Sequence, residues 1–248
     1  MNDKVYIHEF IDIIGQNRAR YMQHMAANWS PMAQEDRHQL LYGLWGIVGS
    51  TGPWPKTVNI WEEDGFAGIA RSFKGETSHP DLQDPKLARW WAKAAEFRSG
   101  GLDRLLVPAP WMPTIEEAVA AGIRGQVFAH EMITVTPGTS ASHLDVIGEK
   151  VAPARAEFGW VLAGAWRTAM RSDDECIFVW AIPTWEQWAE MEQSSASLQP
   201  GSHSNYSGLP GVTSLSRFIM VDAALCPFRL GRQPSRADRV DDWEEHSE

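Results

Sequence analysis

The stretch Val5-Tyr6-Ile7-His8-Glu9 is matched 122 residues later by Val127-Phe128-Ala129-His130-Glu131. Both stretches are rich in β-branched and aromatic residues, which predicts two strands. Each is followed by a glycine and then by a run of helix-forming residues. This similarity within one chain predicts two copies of a single supersecondary unit.

Three further pairs of segments repeat in the same order. They are Leu41 to Trp45 with Leu162 to Trp166, Asn59 to Trp61 with Phe178 to Trp180, and Leu102 to Leu106 with Leu215 to Ile219. Their separations are 121, 119 and 113 residues, so the separation decreases steadily along the chain. Four ordered matches with one direction of drift favour an internal duplication.

Within each copy, residue types and turn signals predict the order strand, helix, strand, strand, helix, strand. The predicted strands are 4–13, 38–48, 56–62 and 102–108, then 126–135, 158–170, 175–182 and 214–222. The predicted helices are 16–27 and 85–98, then 139–152 and 184–195. This βαββαβ order is the ferredoxin-like motif. The predicted fold class is therefore α+β, with ferredoxin-like repeats at 1–115 and 116–232 and an acidic disordered tail at 233–248.

A sheet of this type carries helices on one face, and its other face must be covered. The second copy is the natural cover for the first, so we expect the two sheets to close a barrel with a pocket between them. Pairing between two chains would meet the same need. A homodimer or a higher homo-oligomer is therefore an alternative that the sequence leaves open.

Composition excludes several classes of protein. Of 248 residues, 44% are hydrophobic and 22% are charged, which is typical of a globular chain. The net charge of −10 argues against nucleic acid as a partner, because phosphates require a basic surface. We find no apolar run long enough for a membrane span and no secretory signal, so we expect no membrane contact and a cytoplasmic location.

The ends of the two copies suggest a family. The segment Leu102-Asp103-Arg104-Leu105-Leu106-Val107-Pro108-Ala109-Pro110-Trp111-Met112-Pro113, and Arg217 to Met220 followed by Cys226 to Arg229, resemble the NIPSNAP family of the dimeric α/β-barrel superfamily. The resemblance covers roughly residues 4–230. It implies a fold used by cofactor-free monooxygenases, cyclases, isomerases and lyases, and by haem-binding proteins. The family's usual Glu-x-Arg pattern on the first strand is replaced by His8-Glu9 and His130-Glu131.

Two histidines are the first candidates for catalysis. Side chains alternate along a strand, so His8 shares a face with aromatic neighbours, whereas Glu9 shares the other face with aliphatic ones. The aromatic face suits a barrel interior, which places His8 and His130 in the expected pocket. A histidine in such a pocket can act as a general base. The alternative is that both are core residues with a structural role.

Glu9 and Glu131 are further candidates for catalysis. They lie on the opposite face, where a buried carboxylate needs a partner. We expect Arg104 and Arg217, on the last strands, to be those partners. In a functional interpretation, either arginine holds an anionic or carbonyl oxygen of the substrate. In a structural interpretation, each glutamate and arginine form an ion pair.

Aromatic residues on the inner strands are candidates for substrate binding, with core packing as the alternative. They are Tyr42, Trp45, Trp61, Trp166 and Trp180. We find no phosphate-binding loop, nucleophile elbow or metal-ligand spacing, so we expect no metal.

The sequence thus favours an enzyme without a cofactor, in which a histidine removes a proton from an apolar or aromatic small molecule. The products of a lyase, an isomerase, a cyclase or a monooxygenase could all follow from that step. The alternative is a binding protein for haem or another small molecule, in which a histidine is the axial ligand. A third interpretation is a scaffold whose barrel is solid.

Overall fold

The computed structural model describes residues 1–196 and 209–240. Its strands are β1 (Val5–Ile13), β2 (Leu40–Ile47), β3 (Lys56–Glu63), β4 (Arg98–Pro108), β5 (Val127–Val135), β6 (Val161–Ala169), β7 (Glu175–Ile182) and β8 (Val212–Asp222). Its helices are α1 (Arg18–Gln23), α2 (Ser30–Arg37), α3 (Gly65–Thr77), α4 (Ala88–Ala94), α5 (Ile115–Ala120), α6 (Ser140–Val146), α7 (Ala152–Ala156), α8 (Trp185–Ala196) and α9 (Pro227–Leu230). The π-helical segments His24–Trp29 and Ile147–Val151 join α1 to α2 and α6 to α7. Short 3-10 turns span Pro85–Leu87 and Arg236–Asp238.

The strands form a closed antiparallel barrel in the order β1-β3-β2-β8-β5-β7-β6-β4. The first repeat supplies β4, β1, β3 and β2 as neighbours, and the second supplies β8, β5, β7 and β6. Two short seams, β2 with β8 and β4 with β6, join the halves. The predicted α+β fold with two ferredoxin-like repeats is confirmed, and one chain completes the barrel.

Gly43 and Gly164 give a steric reason for the match between Leu41 to Trp45 and Leu162 to Trp166. In each repeat, β2 or β6 carries a bulge beside this glycine. The indole of the tryptophan two residues later, Trp45 or Trp166, folds back over the glycine. A Cβ atom on either glycine would lie 1.9 Å from a ring carbon. Only glycine allows this approach, so the Gly-x-Trp pattern is a packing requirement in both halves.

Alternation along β1 and β5 sorts the side chains as predicted. Tyr6 and His8 point into the barrel with Phe128 and His130, and all four are fully buried. Burial of one large apolar side chain of this kind contributes about 1.5–3 kcal/mol. Glu9 points the other way, towards the helices that cover the outside of the barrel.

The helix after β3 differs from the prediction. The sequence predicted one helix here, at 85–98. The structure has two: α3, which was not predicted, and α4, which ends at Ala94. Three glycines in α3 lower its helix propensity by up to about 1 kcal/mol each, which hid it from a propensity argument. No helix in the two described ranges is long and apolar enough to cross a membrane.

The match between Leu102 to Leu106 and Leu215 to Ile219 is wrong by one residue. Leu102 lies opposite Phe10 on β1, whereas Ser216 lies opposite Met132, the counterpart of Phe10 on β5. Leu102 therefore corresponds to Ser216. A motif of two or three residues in a strand cannot distinguish neighbouring registers, and a shift of one residue moves each side chain to the other face.

The first half of the expected disordered tail packs against the first repeat. Gln233 exchanges two hydrogen bonds with the backbone of Leu41, at 3.0 and 2.9 Å. Arg236 forms an ion pair with Glu35 on α2. The expectation of disorder is corrected for residues 233–240. The sequence did not predict their order because their contacts are with residues far away in the chain. Residues 241–248 lie outside the described residues.

Candidate functional site

His8 and His130 meet at the centre of the barrel. Their Nε2 atoms lie 2.9 Å apart, so one ring donates a hydrogen bond to the other. The ring of Phe218 stacks on His130 at 4.6 Å between centroids, and Phe10 packs edge-on against His8 at 4.8 Å. Neither imidazole is exposed. The sequence predicted that both histidines face the barrel interior at equivalent positions, and the structure shows in addition that they are in direct contact.

Both imidazoles are neutral at neutral pH. Burial, then the charge of Arg104, lowers the pKa of His130 to about 3. Burial, then His130 and Arg104, lowers the pKa of His8 well below its ordinary value. The Nδ1 atoms of both rings have no hydrogen-bond partner among the described residues.

Aromatic side chains pack against one another in the barrel interior, where the sequence predicted a pocket between the sheets. Tyr6 makes edge contacts with Tyr42 and Trp166 at 5.4 and 5.5 Å. Trp45 packs against Phe128 at 5.6 Å. Three of the aromatic candidates for substrate binding, Tyr42, Trp45 and Trp166, are thus fully buried and packed against other aromatic side chains.

A cavity of about 510 Å³ lies on the outer face of the first repeat, between its sheet, the π-helical segment His24–Trp29, α3 and α4. Residues 169–171 of the second repeat complete its lining. This volume is in the range of small-molecule sites. Four tryptophans and three carboxyl groups lie on its wall: Trp29, Trp61, Trp90, Trp91, Glu9, Glu76 and Asp103. We refer to it as the Glu9 cavity.

Glu9 is the central polar group of this cavity. Its Oε2 atom accepts hydrogen bonds from Asn59 Nδ2 at 2.9 Å and from Trp61 Nε1 at 2.8 Å. Asp103 lies directly opposite Glu9 on the adjacent strand β4. Burial, followed by the charge of Asp103, raises the pKa of Glu9 to about 7, against the effect of the two hydrogen bonds. Burial also raises the pKa of Asp103.

Glu131, the counterpart of Glu9, has a different environment. It is fully buried, and its Oε2 accepts hydrogen bonds from Arg155 Nη1 at 2.9 Å and Trp180 Nε1 at 2.7 Å. Its Oε1 is 2.5 Å from Arg217 Nε. The expected pairing of Glu131 with Arg217 is confirmed. Trp180, the fifth aromatic candidate, holds this ion-pair network.

The expected pairing of Glu9 with Arg104 is wrong. Arg104 lies opposite His8, not Glu9, and its guanidinium lies 5.7 Å over the ring of Phe10. The residue also contributes to the lining of the Glu9 cavity. Its Nε is 2.7 Å from Glu175 Oε1. The cause is the error of one residue in the match between β4 and β8.

Sequence reasoning also missed several residues of the Glu9 cavity. Trp90, Trp91 and Arg98 all fall within the predicted helix 85–98, which gave no indication of a binding site. Asp103 would have been found with the correct register, because it then aligns with Arg217 and faces Glu9. Trp61 is the one aromatic candidate that the structure places on the cavity wall.

No protein-family model matches the chain, and no curated protein matches it. Solved structures match it over most of its length. A proposed monooxygenase from Lactobacillus acidophilus NCFM superposes with a TM-score of 0.55 at 10% identity, and covers 95% of this chain and 97% of its own. An anthrone oxidase-like protein superposes with a TM-score of 0.56 at 9% identity, and covers 89% and 92%. The chain has the dimeric α/β-barrel fold.

A NIPSNAP-like domain protein from Burkholderia xenovorans covers 46% of this α/β-barrel chain and 92% of its own, with a TM-score of 0.36 at 15% identity. The resemblance to the NIPSNAP family stays a prediction.

The haem alternative can be tested against the residues of the α/β barrel. Haem iron is held by histidine, thiolate, tyrosinate or methionine with histidine. Among the described residues, the wall of the Glu9 cavity supplies Met25 and Met170 but no histidine, cysteine or tyrosine. The described residues also contain no cluster of three or more His, Cys, Asp or Glu side chains that could hold a metal ion. The side chains of the Glu9 cavity do not fit haem.

Proposed function

We propose that this chain is an enzyme that acts on an apolar or aromatic small molecule in the Glu9 cavity, without a resident cofactor, and that the Glu9 carboxyl group transfers the proton. One observation carries the proposal. Glu9 lines a cavity of about 510 Å³, and its pKa is raised to about 7. A group with a pKa near the working pH can accept a proton and release it again with a low free-energy cost for each transfer.

The hydrogen bonds of Glu9 suit this role. Asn59 and Trp61 both donate to Oε2, and they fix the plane of the carboxyl group. Oε1 accepts no hydrogen bond from the described residues and is available to a ligand. Asn59 Nδ2 also donates to the hydroxyl of Tyr21 at 2.8 Å, so α1 helps to hold the amide that orients Glu9.

The wall of the cavity suits a flat ligand. Trp61 rises from β3, Trp29 comes from the helical segment between α1 and α2, and Trp90 and Trp91 come from α4. Indole rings offer large rigid apolar faces at a low entropic cost. A ring system lying between them would place its substituents near Glu9 and Asp103.

The reaction type is a finer part of the proposal. Removal of a proton next to a carbonyl group, or from a phenol, begins lyase, isomerase, cyclase and monooxygenase reactions alike. The structural neighbours described as a proposed monooxygenase and as anthrone oxidase-like favour oxygenation of an aromatic substrate. The support from these neighbours is through the shared fold.

A base at His8 or His130 is the second candidate from the sequence. It requires a ligand to enter the barrel between Phe10 and Phe218, which now cover the two rings. Glu9 already lies on a cavity wall, and for this reason we prefer it.

The proposal is tested by incubating the purified protein with small-molecule extracts and following all masses that change with time. Glu9→Gln should lower the rate of the conversion that wild type performs by about 10²–10⁴-fold, the usual contribution of a positioned general base. Asp12→Asn, on the same strand but in an exposed ion pair with Lys56, is the matched control and should retain the rate. Full turnover in Glu9→Gln, with loss in His130→Gln, would transfer the role to the histidine.

A further inference from the structure

The two repeats treat the same glutamate position differently. Glu131 of the second repeat is neutralised by the guanidinium groups of Arg155 and Arg217. Glu9 of the first repeat has no ion pair of this kind with a described residue within 4.0 Å, although it occupies the equivalent place on β1. The difference follows from two substitutions between the repeats.

The first substitution concerns Arg217. Arg217 lies opposite Glu131 on the neighbouring strand, and the residue opposite Glu9 is Asp103. A cation in one repeat is thus an anion in the other. The two carboxyl groups of Glu9 and Asp103 oppose each other electrostatically, which contributes to the raised pKa of Glu9.

The second substitution concerns Arg155. Counting back by the 122 residues that separate His130 from His8 leads to Ala33. The π-helical segments support this alignment, because they end at Trp29 and Val151, which are also 122 residues apart. Ala33 cannot reach the glutamate, so the first repeat also lacks a cation at the position equivalent to Arg155.

Arg155 shows what this type of site holds. Its guanidinium group is 2.9 Å from Glu131 Oε2, and it lies over the indole rings of Trp180 and Trp160, at 4.3 and 5.3 Å from their centroids. A planar cation is therefore held by one carboxylate and two aromatic faces. This combination is the usual way in which proteins bind organic cations.

The first repeat keeps the same elements around an open cavity. Trp61 donates to Glu9 as Trp180 donates to Glu131. Trp29, Trp90 and Trp91 supply aromatic faces on the same wall. We infer that the Glu9 cavity binds an organic cation, an ammonium, amidinium or guanidinium group carried on an apolar or aromatic body. The inference rests on the proposed function only in using the same cavity.

The other charged groups around the cavity leave room for such a cation. Arg98 of β4 lies 5.2 Å over the Trp91 ring, so this aromatic wall already accommodates one guanidinium. Arg104 is engaged with Glu175, and Glu76 at the cavity mouth is paired with Arg37. Arg171 also lines the cavity. The charge of Arg98 lowers the pKa of Glu9 and of Asp103, but Arg98 forms no ion pair within 4.0 Å with either among the described residues. Glu9 and Asp103 therefore remain as the carboxyl groups with which a ligand cation could form a direct ion pair.

Phenylguanidinium is a suitable probe, and phenylurea is its neutral isostere. Binding is followed by the fluorescence of the cavity tryptophans. We expect phenylguanidinium to bind at least about tenfold more tightly than phenylurea, because a desolvated cation gains from both the carboxylates and the aromatic faces. Equal affinity for the two probes, or no binding of phenylguanidinium up to about 10 mM, a concentration above that of even weak specific ligands, would overturn the inference.

Substitutions locate the probe. Glu9→Gln and Asp103→Asn should each weaken phenylguanidinium binding by about tenfold and leave phenylurea unchanged, since each removes one charge from the site. Asp12→Asn is the control and should leave both affinities unchanged. An unchanged affinity for phenylguanidinium in both carboxyl variants would contradict the assignment.

The proton of Glu9 gives a second measurement. A ligand cation favours the ionised carboxylate, so binding near pH 6.5 should release a proton to the buffer. Calorimetry in two buffers of different ionisation enthalpy measures this release. Binding without proton release in wild type would place the cation elsewhere.

The second repeat offers an independent test. Arg155→Ala removes the internal guanidinium, and millimolar guanidinium should then raise the melting temperature of that variant but not of wild type. Absence of this rescue would remove the analogy between the repeats. These outcomes are separate from catalysis. If wild type binds phenylguanidinium as expected but Glu9→Gln keeps the wild-type turnover, only the proposed function is contradicted.

Discussion

The Nε2 atoms of His8 and His130 face each other at 2.9 Å in a barrel interior that water does not reach. Each comes from the first strand of its repeat, so the contact spans the pseudo-twofold axis. A single hydrogen is shared between them, and a second proton would create a positive charge in an apolar core.

This contact predicts acid sensitivity. The pKa values of both histidines are lowered, so below the ordinary value of 6.5 the unfolded chain binds more protons than the folded chain. The free energy of unfolding should therefore fall as pH drops from about 6.5, by up to about 1.4 kcal/mol per pH unit for each histidine. Urea unfolding at pH 7.5 and 5 measures it. In the double variant His8→Gln/His130→Gln the fall should be smaller, and an identical fall would mean that other groups cause it.

Glu9 should act in the opposite direction. Its pKa is raised from 4.5 to about 7, so the folded chain binds the extra proton between these values, and stability is lost as pH rises through them. The free energy of unfolding of Glu9→Gln, relative to that of wild type, should therefore rise between pH 5 and pH 8, by at most about 3 kcal/mol. Chemical unfolding at both pH values checks this. A constant difference between the two proteins would show that Glu9 titrates normally.

Arg155 should be needed for stability. Arg155→Met leaves Glu131 buried with Arg217 as its remaining cation, and this should cost about 3 kcal/mol. Lys4→Met, which removes an exposed ion pair with Asp64, is the control and should cost less than about 1 kcal/mol. Similar unfolding midpoints for the two variants would show that Arg155 contributes no more than a surface pair.

The two glycine bulges should be equally intolerant. Gly43→Ala and Gly164→Ala each force an indole ring or the strand to move, which should cost about 1–3 kcal/mol or more. Gly75→Ala, inside α3 with open space around it, should be neutral or stabilising by up to about 1 kcal/mol. Thermal unfolding compares the three. A large loss of stability in only one of the two bulge variants would mean that the two bulges are not equivalent.

Much of the fold could be predicted because local and long-range signals agree. Alternation along β1 and β5 correctly placed His8 and His130 inside the barrel and Glu9 outside it. The repeated Gly-x-Trp segments marked the same bulge in both halves. These features depend on short sequence patterns with a direct steric cause.

The cavity could not be predicted in the same way. A cavity is the absence of side chains, and it depends on how helices pack rather than on any motif. The position of Asp103 opposite Glu9 required a register that the repeated Leu-x-Arg pattern could not determine. The neutralisation of Glu131 by Arg155 joins a strand to a helix 24 residues later, a contact that has no sequence signal.

The two repeats share one barrel core, but each has its own outer face, and both faces belong to one polypeptide. In an assembly of identical subunits, a substitution that fills one binding site also fills its twin. Covalent fusion removes this symmetry constraint, so Arg155 can close one half for rigidity while Ala33 and Asp103 leave the other open for a guest. One half then stabilises the barrel, and the other half can change its cavity residues to suit a ligand.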